Sequence, residues 1–437
     1  MKGYLKVEHS TKLHGKVSLI GAKNAVLVIM ASLILTEGKS TLKNVPFSDD
    51  IMQMIQLLRD LGAEVLFNKE THTLEIDTTF LVRCQVKKEI MKQMRASILV
   101  MGPLLARFGK VNIALPGGCI IGARPINYHL NNLRKMGASI QIEGEYLFAH
   151  AKKLKSQRIV LEYPSVGATE NIVMIAVAAQ GTTRIINASL EPEVLDFIAV
   201  LKKMGAKIVI EPPATIAIEG GALLKPVEHT IMYDRLEAGS LLLAAAITGG
   251  KIELPHAPAY NLDVFLLKLQ EMGHYIEIGS EGIGVTLKAT HSPKAVSFKT
   301  APYPGFPTDL QAPMMVAQCL ASGTATIDET VFENRLLHVH ELQKMGAQIK
   351  VDGSRATVIG VDELYGTPVI ASDIRGGCAL LLAGLAAKGI TTISGVHHLS
   401  RGYESIQKKL NDMGASLEYV DAAMFVHHNY GRIIEYQ

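Results

Sequence analysis

The stretch LPGGCIIGARPI, residues 115–126, sets Cys119 directly after two glycines and five residues before Arg124. Paired glycines allow backbone angles that other residues avoid, which suits a mobile loop and not a core. A free thiol titrates near pH 8.5, and nearby cations and loop N–H groups lower that value. A thiol tuned toward neutrality delivers a proton or attacks as a nucleophile, so Cys119 is the candidate for chemistry. Cys84, Cys319 and Cys378 read as small hydrophobes, the last two within apolar helices. Four scattered cysteines with no CxxC fit a reducing cytoplasm.

Six other short segments carry polar groups, each just before a nearly all-apolar run: GAKNAV, MRAS, PSVGATEN, DRLEAGS, FPTDLQAP and SDIRGG. They contribute Lys23, Asn24, Arg95, Ser165, Gly167, Arg235, Asp309, Asp373 and Arg375. Helix starts expose N–H groups and a partial positive charge, so they favour anions, and cations there oppose the helix dipole. Lys23, Arg95, Arg235 and Arg375 at equivalent places predict a site for phosphate or carboxylate. A second group of loops supplies Cys119, Arg124, Arg335 and Arg401, and arginine's planar fork suits bidentate contact with such anions.

These positions recur because the chain repeats. LRDLGAEV, LRKMGASI, LKKMGAKI, LQEMGHYI, LQKMGAQI and LNDMGASL centre on Gly62, Gly137, Gly205, Gly273, Gly346 and Gly414, which are 75, 68, 68, 73 and 68 residues apart. Each predicts an amphipathic helix stopped by glycine and followed by a strand. Interleaved with them are AVLVIMASLIL, ASILVMGPLLA, NIVMIAVAA, SLLLAAAI, PMMVAQCLA and CALLLAGLAA. A helix apolar on every face must be buried on every face. The expected fold is therefore α/β: a two-domain inside-out α/β barrel with three repeats per domain around buried apolar helices. Residues 21–232 form the first domain, with repeats one to three and the Cys119 loop. Residues 1–20 join 233–437 in the second, with repeats four to six. The chain then crosses twice, near 20–23 and 231–235, which makes a hinge and puts the ligand site in the cleft between domains.

Hydrophobic residues make up 48% of the 437 and charged residues 19%, as in a globular protein. A net charge of +3 gives no electrostatic case for a nucleic-acid or membrane-surface partner. The opening MKGYLKVEHS lacks an apolar signal run, and the longest apolar run, 25–35, is too short to span a bilayer, so a cytoplasmic protein is expected. EGKST, 37–41, ends like a phosphate-binding P-loop, but Leu33 replaces the required glycine. His338, His340, His397 and His398 have no cysteine or carboxylate at metal-site spacing, so no metal is expected.

The combination GAKNA, MRAS, PGGCxIGARP, SVGAT, FPTDLQA, VFENR, DIR and RGYE, over essentially the whole chain, resembles the enolpyruvyl transferases, and within them the branch acting on UDP-N-acetylglucosamine. The resemblance implies transfer of the enolpyruvyl group of phosphoenolpyruvate to the 3′-hydroxyl of that sugar nucleotide, with loss of phosphate. The two substrates are its expected partners, with no cofactor, and it sets no oligomeric state. It makes Cys119 the acid toward the methylene carbon and a site of covalent adduct formation, including alkylation by fosfomycin. Asp309 takes the hydroxyl proton, and Lys23, Arg124 and Arg401 surround phosphoenolpyruvate. Asn24 and Arg95 lie near the substrates. Arg124, Pro125, Ile126, Asn127 and Tyr128 cover the uridine, and Ser165, Val166 and Gly167 face the diphosphate. Val331 contacts the sugar and Thr308 binds substrate, with Arg335, Asp373 and Arg375 at further positions of the site. Two positions depart from the pattern: Asn127 stands where several relatives have Asp, and Tyr163 where some have Lys. Rival readings are a transferase acting on shikimate 3-phosphate, which is not expected to carry the PGGC loop, a non-catalytic nucleotide-sugar binder, and an RNA-end-processing enzyme.

Overall fold

The computed structural model describes residues 3–115, 122 and 126–421. Two compact units emerge: unit 2 lies within Ile20–Tyr233, and unit 1 joins Met1–Leu19 to Asp234–Gln437. Each holds three central helices. In unit 2 they are α1 (Lys23–Ser32), α2 (Met101–Phe108) and α3 (Val166–Ala176); in unit 1, α4 (Arg235–Ile247), α5 (Gln311–Cys319) and α6 (Ile374–Ala386). Their apolar sequences explain their place: α5 is buried at every position and α4 at all but Ile247. In unit 1 the three helices pack pairwise against one another. In unit 2, α2 packs on α3, and the 3-10 turn Arg95–Val100 that leads into α2 touches both α1 and α3.

The repeated L-x-x-(M/L)-G-(A/H) signature is a helix stop. Outer helices Asp49–Leu61, Asn127–Lys135, Pro192–Lys203, Asp263–Glu271, Val339–Lys344 and Ile406–Asp412 each run into their marker glycine, whose φ lies between 97° and 111°. Only glycine takes that left-handed angle without strain. After it, the next N–H turns back to the carbonyl of the motif's leucine: Ala63 to Leu58, Ala138 to Leu133, Ala206 to Leu201, His274 to Leu269, Ala347 to Leu342 and Ala415 to Leu410. This six-to-one bond closes the helix end and aims the chain into the following strand.

Each repeat also builds a small sheet. A strand after the central helix pairs with the hairpin strand that follows the outer helix, and in five of the six described sheets a lead strand runs parallel on its other side; beside Lys110–Ala114 the described residues make only a single parallel bridge, Gln85 to Asn112. Phe298–Lys299 leads Thr324–Asp328, Pro368–Ile370 leads Ile390–Ser394, and Arg158–Val160 leads Thr182–Ile186. Glu228–Thr230, from repeat three, leads Lys39–Lys43 of repeat one, so unit 2 closes on itself. In unit 1, His14–Lys16 leads Lys251–Pro258. Gly3–Glu8 takes an interior place, antiparallel to both Ile390–Ser394 and Leu417–Asp421, where the other repeats use a strand of their own hairpin. The EGKST segment enters the strand Lys39–Lys43, not a phosphate loop. Among the described residues, no helix is long and apolar enough to cross a membrane, and no three His, Cys, Asp or Glu side chains cluster as a metal site.

Candidate active site

The starts of the central helices carry most of the polar residues singled out above. In unit 1, Asp373 caps α6 by accepting from the N–H groups of Arg375 and Gly376 at 2.9 and 3.1 Å. Asp234 does the same for α4, accepting from Leu236 and Glu237. A cap carboxylate on each helix offsets the arginine that follows it. The 3-10 turn Thr308–Leu310 precedes α5, and Leu310 anchors it. Leu310 is fully buried against Gly239 of α4, where an added Cβ would meet Leu310 Cδ1 at 2.5 Å.

The anchored turn presents Asp309 between two guanidinium groups. Oδ1 accepts from Arg335 Nη2 at 2.7 Å and Oδ2 from Arg375 Nη2 at 2.9 Å. The arginine side chains are 4% and 6% exposed, whereas that of Asp309 is 24% exposed. Two charge-assisted bonds therefore orient the carboxylate and leave it accessible. Arg375 also donates to Tyr403 Oη at 2.9 Å, and Tyr403 Oη lies 2.9 Å from Ser240 Oγ. Burial opposes the charge of Arg375, but Asp309, Tyr403 and Asp234 reverse that effect and hold the guanidinium firmly protonated. Burial pushes the phenol of Tyr403 well up, so it stays neutral. Thr308 and Val331 meet through a single carboxylate: Glu329 accepts from the Thr308 hydroxyl and from the Val331 N–H. Arg401 follows the short helix His397–Ser400 and adds its charge beside His398.

In unit 2, Lys23 is the first residue of α1 and is buried, while Asn24 beside it is exposed. Lys23 Nζ donates to Asp50 Oδ2 at 2.8 Å, with side chains 10% and 5% exposed. Removing two charges from water is costly, and this pairing offsets that cost in part. Asp50→Asn should therefore lower unfolding stability by about 2 kcal/mol, because the ammonium keeps an oxygen partner but loses the opposite charge. A urea midpoint equal to that of the unaltered protein would show that the pair stabilises nothing.

Arg95 opens the 3-10 turn before α2, and Ser165 caps α3 by accepting from the Ala168 N–H at 3.4 Å. His129 is near enough to Arg95 to feel its charge and adjoins Gly167 of α3. Burial, and then the charge of Arg95, lower its pKa to about 4, so the ring is neutral at pH 7. A Cβ on Gly167 would lie 3.3 Å from His129 Cε1, so a larger residue there would crowd the ring. Asn171 ties this corner together: Nδ2 reaches His129 Nδ1 at 3.0 Å and the Ile98 carbonyl at 3.3 Å, and Oδ1 accepts from the Gly102 N–H at 2.8 Å. Ile126, Asn127 and Tyr128 form the N-terminal end of the helix that carries His129. Val166 opens α3 and is exposed, as is Tyr163 just before it. Cys119, Arg124 and Pro125 lie outside the described residues. Asp50 and Glu329 had no motif to mark them, yet Asp50 holds Lys23 and Glu329 holds Thr308 and Val331; His129 and Asn171 were not singled out either, and they pair with each other.

The model of the EPSP synthase (3-phosphoshikimate 1-carboxyvinyltransferase) family matches residues 7–410. A UDP-N-acetylglucosamine 1-carboxyvinyltransferase from Geobacter metallireducens is 46% identical over 95% of this chain and 99% of its own. A protein of the same name from Geotalea uraniireducens is 47% identical over 94% and 98%. The chain belongs to the UDP-N-acetylglucosamine 1-carboxyvinyltransferases. As a member of the UDP-N-acetylglucosamine 1-carboxyvinyltransferases, and through them of the wider EPSP synthase family, it is a transferase. The fold agrees. The crystal structure of the enolpyruvyl transferase NikO from Streptomyces tendae covers 96% of the chain and 99% of its own length, with TM-score 0.88 at 23% identity. An EPSP synthase from Acinetobacter baumannii covers 95% and 99%, with TM-score 0.75 at 18% identity.

Proposed function

We propose that the protein transfers the enolpyruvyl group of phosphoenolpyruvate to the 3′-hydroxyl of UDP-N-acetylglucosamine and releases phosphate, the first committed step of peptidoglycan precursor synthesis. The observation that carries this reading is 46% identity along 95% of the chain to a relative named for that activity. In this reading each unit is an inside-out α/β barrel of three repeats.

The chemistry assigns roles to the chain's own groups. The Cys119 thiol gives its proton to the methylene carbon of phosphoenolpyruvate, leaving an oxocarbenium-like centre at the adjacent carbon. The sugar oxygen bonds to that carbon as its proton passes to Asp309. The Cys119 thiolate left by the first step then takes a proton back from the new methyl group, which expels phosphate and restores the double bond. Lys23, Arg124 and Arg401 hold the phosphate and carboxylate of the donor. Arg335 and Arg375 orient Asp309, and that geometry supports its place beside the reacting hydroxyl. Asn24 and Arg95 lie near the substrates, Ser165, Val166 and Gly167 face the diphosphate, and Arg124, Pro125, Ile126, Asn127 and Tyr128 face the uridine.

Phosphate release from phosphoenolpyruvate should require UDP-N-acetylglucosamine. Release with shikimate 3-phosphate instead would transfer the assignment to the reaction of the EPSP synthases, whose family model matches the chain.

A further inference from the structure

Glu329 follows the strand Thr324–Asp328 and is only 2% exposed. Its two oxygens accept four hydrogen bonds. Oε1 takes the Thr300 hydroxyl at 3.0 Å and the N–H groups of Val331 and Phe332 at 2.8 and 3.2 Å. Oε2 takes the Thr308 hydroxyl at 2.9 Å. Thr300 in turn accepts from the Thr330 N–H at 2.9 Å, and the Thr330 hydroxyl donates to the Thr300 carbonyl at 2.6 Å. All these donors are neutral. Burying a carboxylate among them is costly, and a packed apolar residue would build a turn without that cost. What the carboxylate does uniquely is accept on both sides at once.

An ionised carboxylate has no proton to give. The one hydroxyl proton of Thr308 is therefore committed to Oε2, and toward any other group Thr308 Oγ can only accept. The next residue is Asp309, and the other arm of Glu329 fixes the backbone at Val331.

We infer that Glu329 is a positioning residue for the acceptor substrate. It sets the polarity of Thr308, so that this position recognises a donor hydrogen on the ligand, the hydroxyl or amide N–H of a sugar, and it sets the distance of Val331 from the same ligand. The inference rests on the proposed function, with Val331 on the sugar side of UDP-N-acetylglucosamine and Thr308, next to the proposed base Asp309, at the same ligand.

Glu329→Gln tests it. The two backbone N–H groups require the amide oxygen at the Oε1 position, which puts the amide N–H₂ against Thr308. The Thr308 oxygen then accepts from the amide, and its own proton is released toward the ligand. Three of the four contacts survive unchanged and the fourth reverses, so thermal unfolding should stay close to that of the unaltered protein. The dissociation constant for UDP-N-acetylglucosamine, measured calorimetrically, should rise about three- to tenfold, with KM for phosphoenolpyruvate within about twofold. In a Thr308→Val background the same change should alter sugar-nucleotide binding by less than about twofold, because the route through Thr308 is gone. Unchanged binding, an equal rise for both substrates, or the same factor with and without the Thr308 hydroxyl would each overturn the inference. Failure of the unaltered protein to bind UDP-N-acetylglucosamine would remove the functional reading and this inference with it; normal binding by Glu329→Gln removes the inference alone.

Discussion

Asp309→Asn should lower kcat by about a hundredfold to ten-thousandfold, the range for losing a positioned proton acceptor. Asparagine is nearly the same size, so the turn Thr308–Leu310 should hold, anchored by Leu310 against Gly239. The electrostatics fail instead. In the unaltered protein each carboxylate oxygen meets one guanidinium, from Arg335 and from Arg375. An amide offers one oxygen and one N–H₂, so one arginine must face a donor. Two buried cations also lose the charge they share, which costs far more than one neutral hydrogen bond. Initial-rate phosphate release, with circular dichroism as the control for folding, measures the effect. A kcat within about threefold of normal would place proton acceptance elsewhere.

The second large effect belongs to Cys119. Cys119→Ala removes both the proton donor and the nucleophile, and turnover should fall by about a thousandfold or more. Labelling by fosfomycin, read as added mass on the intact protein, should vanish. Cys119→Asp separates the two roles. A carboxylic acid can deliver a proton, so turnover should persist in part, while alkylation is lost. Full labelling of Cys119→Ala would move the reactive nucleophile to another residue. Cys84 and Cys319 are poor substitutes, since burial pushes both thiols up, Cys319 to about 12.

The elements were readable because each has a strong local cause. All-apolar runs can only be central helices, and L-x-x-(M/L)-G-(A/H) encodes a left-handed residue and a six-to-one bond within eight residues of sequence. The contacts among polar residues were not readable. Asp309, Arg335 and Arg375 stand on three separate motifs, and nothing local states that two of them grip the third. Asp50, His129 and Glu329 looked like ordinary members of a helix or a strand end. Their roles come from partners 27, 42 and 21 residues away, Lys23, Asn171 and Thr308. Glu329 left one trace, an acid directly before the T-V-F-E-N-R segment, but many surface acids look the same. The interior place of Gly3–Glu8 also escaped local reading: alternation marks it as a strand without naming its neighbours.

That strand sets an order of assembly. All pairings of Gly3–Glu8 lie with residues 390–394 and 417–421, so the strand has no sheet to join until those residues have left the ribosome. The sheets of unit 2 draw every described strand from residues 39–230 and need nothing made later. During synthesis, then, the middle of the polypeptide can finish its hydrogen bonding while the earliest-made strand still waits, its backbone groups served by water.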